Sequence, residues 1–98
     1  MAKYYFTNKA VEDLADIWNY TFENWSERQA DKYYELLIMT CATLANEPNL
    51  GKPYNILSEG ILGYKIKKHI IFYEIFSKNE IYVIRILHGK MDLKNRLS

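Results

Sequence analysis

The chain has 98 residues, 49% of them apolar and 26% charged, with a formal net charge of +1. That size predicts one domain over residues 1–98 with a single core, and the balance of apolar to charged residues excludes a disordered tail protein. No apolar run approaches the ~18 residues needed to cross a bilayer, and the lone Cys41 excludes an internal disulfide, a Cys-rich zinc site and a dithiol pair.

A reducing cytoplasm suits such a chain, with no cofactor and no membrane contact expected. The charge is unevenly divided. Residues 1–49 carry four basic and eight acidic groups, net −4, whereas residues 50–98 carry nine basic and four acidic groups, net +5. This fits either an anionic partner for the second half or basic strands facing an acidic helical layer.

In chain order, Tyr4-Tyr5-Phe6 reads as a short aromatic strand at a sheet edge. Thr7 then suits a helix N-cap. Ala10, Val11, Leu14, Ile17, Trp18, Thr21, Phe22 and Trp25 follow a three-and-four spacing. That predicts a helix over 8–25 with one buried face and with Glu12, Asp13, Asp16 and Glu23 in water. Ser26-Glu27-Arg28-Gln29 is a capping box, so a second helix starts at once. Its inner face is expected to hold Ala30, Tyr33, Tyr34, Leu37, Ile38, Cys41, Leu44 and Ala45. With almost no linker, the two helices must form an antiparallel hairpin.

Pro48 lacks an N–H and ends the second helix. Residues 50–59 read as an irregular loop, and three strands follow at about 62–67, 70–76 and 81–87. Ser77-Lys78-Asn79-Glu80 reads as a tight turn between the last two. If Ser77 opposes Glu80, then Ile75 faces Tyr82, Tyr73 faces Ile84, Ile71 faces Ile86 and His69 faces His88. Alternation puts this set on one face, expected beneath the helices. The other face then holds Phe76 with Ile81, Glu74 with Val83, Phe72 with Arg85, and Ile70 with Leu87. That face is too apolar for water, so either a short C-terminal helical segment within 91–97 or a partner protein should cover it. The fold class expected is α+β: an N-terminal strand, an antiparallel helix hairpin on a small antiparallel sheet, and that short C-terminal helical segment.

Two strand-end histidines and scattered carboxylates give no metal-ligand spacing. Gly60 and Gly63 make no phosphate loop, and Cys41 falls on a buried helix face. One enzymatic chemistry has residues to consider. Lys65, Lys67, Lys68, Arg85 and His88 could serve metal-free RNA cleavage, stabilising a phosphorane and moving protons. The plainer reading makes His69 and His88 hydrogen-bonded strand-end residues and Arg85 a structural arginine paired with Glu74.

A wider pattern joins these segments. Tyr5-Phe6-Thr7, Ala10, Asp13-Leu14, Ile17-Trp18, Tyr20-Thr21, Trp25, Gln29-Ala30 and Tyr33 carry its helical part. Pro48 to Gly51, Gly63-Tyr64, Ile71-Phe72-Tyr73, Ile84-Arg85-Ile86-Leu87-His88 and Met91-Asp92 carry the rest. Over nearly its whole length the chain resembles the ParE branch of the RelE/ParE superfamily, the toxins of bacterial type II toxin–antitoxin pairs. The resemblance implies a helix hairpin on a small antiparallel sheet. It also implies a toxin neutralised by a cognate ParD-like antitoxin in a hetero-oligomer. Such toxins inhibit DNA gyrase by binding, with no reaction of their own, so contact with DNA is expected only indirectly, through gyrase or the antitoxin. The alternative is a ribosome-dependent mRNA endoribonuclease of the RelE type. That branch often places a tyrosine or histidine near the C-terminus; here the tail after His88 holds Lys90, Lys94 and Arg96 but no tyrosine. Toxicity is expected to rest on Arg85, His88, Met91, Asp92 and Arg96. The antitoxin is expected to bury Trp18, Phe22 and Phe72.

Overall fold

The computed structural model describes residues 2–54 and 58–90. Two helices, α1 (Asn8–Asn24) and α2 (Glu27–Asn46), pack on one face of a five-stranded sheet. Its strands are β1 (Lys3–Phe6), β2 (Lys52–Pro53), β3 (Leu62–Ile66), β4 (His69–Ser77) and β5 (Glu80–His88), in the spatial order β1-β5-β4-β3-β2. Strands β3 to β5 are antiparallel as expected, β2 adds an antiparallel pair within the segment expected to be loop, and β1 joins the edge in parallel with β5. The sheet is therefore mixed. The expected C-terminal helical segment lies outside the described residues.

Both helix starts follow from their caps. The Thr7 hydroxyl accepts the Ala10 N–H at 3.0 Å and donates to the Ile84 carbonyl at 2.7 Å, tying the start of α1 to β5. The Ser26 hydroxyl accepts the Gln29 N–H at 3.1 Å and opens α2 one residue after Trp25. At the far end Glu47 closes α2, and Pro48–Leu50 form one turn of 3-10 helix. The loop beyond is more ordered than its sequence suggests, because β2 pairs with Leu62 and Gly63.

Two tyrosines fasten that segment. The buried Tyr73 hydroxyl donates to the Pro48 carbonyl at 2.6 Å and accepts the Gly51 N–H at 2.9 Å. On the other face, the Tyr54 ring meets Phe72 edge-on at 5.1 Å and lies where a Cβ on Gly63 would stand.

The β4–β5 register matches the expected one at both ends but not between. His69 faces His88, Ile71 faces Ile86, Phe72 faces Arg85, and Ser77 faces Glu80. In between, Tyr73 faces Val83 and Ile75 faces Ile81, because Ile84 and Phe76 each stand as an extra residue at an irregularity of the ladder. The two insertions cancel, so a register argued from the turn alone is wrong only in the middle. Their effect is to turn Ile81 and Val83 inward. The core under the helices is thus Ala10, Leu14, Leu37, Cys41, Leu44, Ala45, Ile71, Tyr73, Ile81, Val83 and Ile86.

The outer sheet face is partly covered by the chain itself. Ile61, Ile70, Phe72 and Leu87 form a second buried cluster, with Tyr54 and Ile84 packed against it. Phe72 is fully buried there, which corrects its reading as an exposed anchor. Asp13, expected in water, is buried, whereas Val11 and Trp25, expected inside, stand exposed.

Candidate functional site

The tail block of β5 meets α1 at the end of the sheet where the two histidines pair. Asp13, Asp16 and Ile17 from α1, His69 from β4, and Arg85 to His88 from β5 line a small cavity of about 120 Å³. Two polar constellations build it.

The first joins α1 to β5. Beyond Val83 the β5 edge has lost its β1 neighbour, so its backbone groups need other partners. Asp13 supplies one. Its Oδ2 accepts the Ile86 N–H at 3.0 Å and the Arg85 Nε–H at 2.8 Å, and its Oδ1 accepts Arg85 Nη2 at 2.9 Å. A forked pair of this kind has fixed geometry and holds the guanidinium in one place. The Asp13 hydrogen bond is also the main reason that the guanidinium pKa is raised further. Arg85 is therefore held by Asp13, not by Glu74 as its sequence neighbourhood suggested.

The second constellation joins α2 to β4. The Tyr33 oxygen lies 2.6 Å from His69 Nδ1. Burial pushes the Tyr33 hydroxyl above its usual pKa, partly offset by the Lys68 backbone N–H, so the phenol keeps its proton. Burial, with the neighbouring His88, pushes His69 down to about 4, so its ring is neutral. The hydroxyl is then the donor and Nδ1 the acceptor, which places the His69 proton on Nε2. The His88 ring meets His69 edge-on at 5.4 Å, and its Nδ1 accepts the Lys90 N–H at 3.1 Å.

Of the residues expected to carry toxicity, the structure brings Arg85 and His88 to this cavity. Met91, Asp92 and Arg96 lie outside the described residues. Asp13 and Tyr33 were not singled out for this site by the sequence, although one signal pointed to Asp13. It stands three residues after Ala10, one before Leu14 and four before Ile17, within the buried stripe. The spacing of Tyr33 marks only the inner face of α2.

Trp18 and Phe22 stack at 5.3 Å on the hairpin, with Phe22 48% exposed and the Trp18 indole N–H donating to Asp31 at 3.0 Å. Cys41 is fully buried, and burial pushes its thiol up to about 12, so it packs and does not react. Among the described residues no three His, Cys, Asp or Glu side chains are grouped to hold a metal ion, and no helix is long and apolar enough to cross a membrane.

Residues 4–93 match the family model described as ParE toxin of type II toxin–antitoxin system, parDE. Toxin ParE1 of Caulobacter vibrioides is 33% identical over 97 residues, 99% of each chain. Toxin ParE1 of Mycobacterium tuberculosis is 27% identical over 96 residues, 98% of each chain. A solved structure from a chromosomal ParDE toxin–antitoxin system of P. aeruginosa shares the fold, with a TM-score of 0.75 at 20% identity over 90% of this chain and 95% of that one. The strand-capped hairpin and the β5 tail thus fall within a match running almost from end to end, and the chain belongs to the ParE toxin family of type II toxin–antitoxin systems.

Proposed function

We propose that this toxin acts in the cytoplasm by binding DNA gyrase and blocking it, without a catalysed reaction of its own, and that a ParD-like antitoxin neutralises it. Family membership supports this reading, and one observation carries it against RNA cleavage. One of the cations that a ribonuclease could recruit, Arg85, and one of the histidines, His69, are committed to holding the fold. Arg85 is forked onto Asp13, and His69 is neutral and accepts from Tyr33. A general base or acid works best with a pKa near the working pH, and about 4 is far below it.

The antitoxin docks on the helix hairpin, where the Trp18–Phe22 stack offers aromatic area with a polar rim at Asp31. Phe72, beneath Tyr54, is not an anchor in this arrangement. Alanine at Trp18 or Phe22 is expected to weaken antitoxin binding by about tenfold or more, as loss of an aromatic anchor does.

The target is tested by adding purified toxin to a gyrase supercoiling assay. Inhibition or trapped cleaved DNA at micromolar toxin, with intact transcripts on induction in cells, is the expected result. Unimpaired gyrase removes it as the target. Transcripts cut within codons would instead assign the RelE-type reaction, with His88 as the ring to replace first, since it is only half-buried in the cavity.

A further inference from the structure

Four of the seven lysines in the second half gather at one corner. Strands β3 and β4 are joined by the tight turn Lys67-Lys68, set by the pairing of Ile66 with His69. The Gly89 N–H donates to the Lys68 carbonyl at 2.9 Å, which brings Lys90, just past β5, beside that turn. Lys65 stands opposite Ile70 one pair further along. All four lysines are exposed, and none makes an ion pair with the described residues. The described carboxylates of the second half sit elsewhere: Glu74 and Glu80 toward the other end of the β4–β5 hairpin, Glu59 before β3.

The turn itself is unusual. Lys67 holds φ +53°, a left-handed conformation suited to glycine or asparagine. At the β4–β5 turn the left-handed residue is Asn79, at φ +61°, in the second central position where Lys67 holds the first. A lysine therefore stands, exposed, where the backbone favours a smaller residue, at the tip of the β3–β4 turn.

We propose that Lys65, Lys67, Lys68 and Lys90 form a contact surface for the phosphate backbone of duplex DNA, so that this toxin touches DNA directly and not, as the family resemblance implies, only through gyrase or the antitoxin. The surface chemistry selects that partner. Protein partners are gripped through buried aromatic and aliphatic anchors. Among the described residues the large exposed apolar side chains lie on the two helices, at Leu50 and near the β4–β5 turn, and none falls in 58–70 or 87–90. Single-stranded nucleic acid needs exposed aromatic platforms for stacking, and none stands among the described residues of the corner. Lysines presented as point charges without anchors suit the regular phosphates of a duplex, read without sequence preference. The assignment stands apart from the choice of target, because it concerns DNA alone and holds or fails with no gyrase present.

The test is fluorescence anisotropy of the purified toxin with a short labelled duplex of mixed sequence. Binding is expected at about 50 mM salt and should weaken steeply toward about 200 mM, with a log–log slope of about −3.6 for four phosphates at about −0.9 each. Combining Lys65→Gln, Lys67→Gln, Lys68→Gln and Lys90→Gln should lower duplex affinity at least tenfold and flatten the slope, while Lys78→Gln, at the far end of the hairpin, leaves both unchanged. Circular dichroism melts of each variant confirm that the fold is kept. No duplex binding at low salt overturns the proposal, as does binding that the four substitutions leave intact. Tighter binding to single-stranded RNA, or to an acidic peptide, than to the duplex would overturn it in favour of that partner.

Discussion

The two ends of the β4–β5 hairpin are built from opposite materials. At the open end, where His69 faces His88, polar groups are drawn inward and satisfied: Asp13 takes Arg85 and the Ile86 N–H, and Tyr33 takes His69. At the turn end, aromatic side chains are pushed outward. Tyr5 meets Tyr82 at 6.0 Å and Phe76 at 6.5 Å in an exposed cluster, and the Tyr5 and Ser77 hydroxyls both donate to Glu80. The bulk of the apolar core lies between the two ends. Burial in this fold follows the helices and the loop that cover each stretch of sheet, and does not follow the polarity of the residues there. Helix α1 crosses the open end and demands partners for what it buries, whereas among the described residues the outer face near the turn has only its own side chains.

The sharpest way to break this contrast is to remove the carboxylate that organises the open end. Asp13→Ala removes the forked acceptor of the Arg85 guanidinium and the acceptor of the Ile86 N–H, in a site where the Asp13 and Arg85 side chains are only 9% and 16% exposed. Losing one partner of a largely buried pair costs about 3 kcal/mol or more, measurable as a lower urea midpoint. Asp13→Asn keeps one acceptor oxygen and should recover part of that loss. Equal stability in all three proteins would show that the pair is ornamental to the fold.

Gly63→Ala tests the cover on the outer face. Its Cβ would run into the Tyr54 ring, so Tyr54 must leave Phe72 or the strands must part. Overpacking of this kind costs about 2 kcal/mol. Tyr54→Ala in the same chain should relieve the clash and make the two substitutions clearly non-additive.

A third probe is acid. The folded-state pKa of His69 is about 4, below its ordinary 6.5, so the unfolded chain binds the extra proton between those values. The stability tied to neutral His69 is therefore complete above pH 6.5, declines as pH falls toward 4 and is gone below that. Solvent screening of a half-buried ring leaves about 1 kcal/mol of this effect. The difference in unfolding free energy between the native chain and His69→Gln should shrink by that amount from pH 7.5 to pH 4. A difference constant with pH would mean that His69 is no more buried folded than unfolded.

What the sequence revealed followed local rules. Both N-caps, the antiparallel hairpin, the edge strand, the end of α2 and the Ser77–Glu80 turn depend on a few adjacent residues, and all stand as read. The middle of the β4–β5 register did not, because an insertion at Ile84 is offset by another at Phe76, and strict alternation cannot detect either. The run Ile81, Val83, Arg85 would put all three on one face; the insertion at Ile84 breaks that parity after Val83, and the edge carboxylate then fixes Arg85. At the site, Arg85 and His88 were legible as a polar break in an apolar strand. Asp13 and Tyr33 come from helices 72 and 36 residues away in the chain from the groups they bond, and only the folded chain shows which carboxylate and which phenol arrive.

The smallest expected effect lies at the turn end. Phe76 is 67% exposed and is the extra residue of the β4 irregularity, so it has no cross-strand partner, and its ring makes one edge contact with Tyr5. Phe76→Ser should change stability by less than about 0.5 kcal/mol, the range of ordinary surface substitutions. Four residues earlier on the same strand, Phe72 is fully buried against Tyr54, and Phe72→Ser should cost about 3 kcal/mol or more, since it both empties a core site and buries a hydroxyl. Two phenylalanines on one strand, with the same side chain and the same substitution, thus isolate what cover alone contributes. A loss above about 1.5 kcal/mol at Phe76 would mean that the Tyr5–Phe76–Tyr82 cluster is already a third core in the isolated chain. A near-zero loss means that its aromatic area does not stabilise the monomer, and that nothing in the chain's own folding requires those rings at the surface.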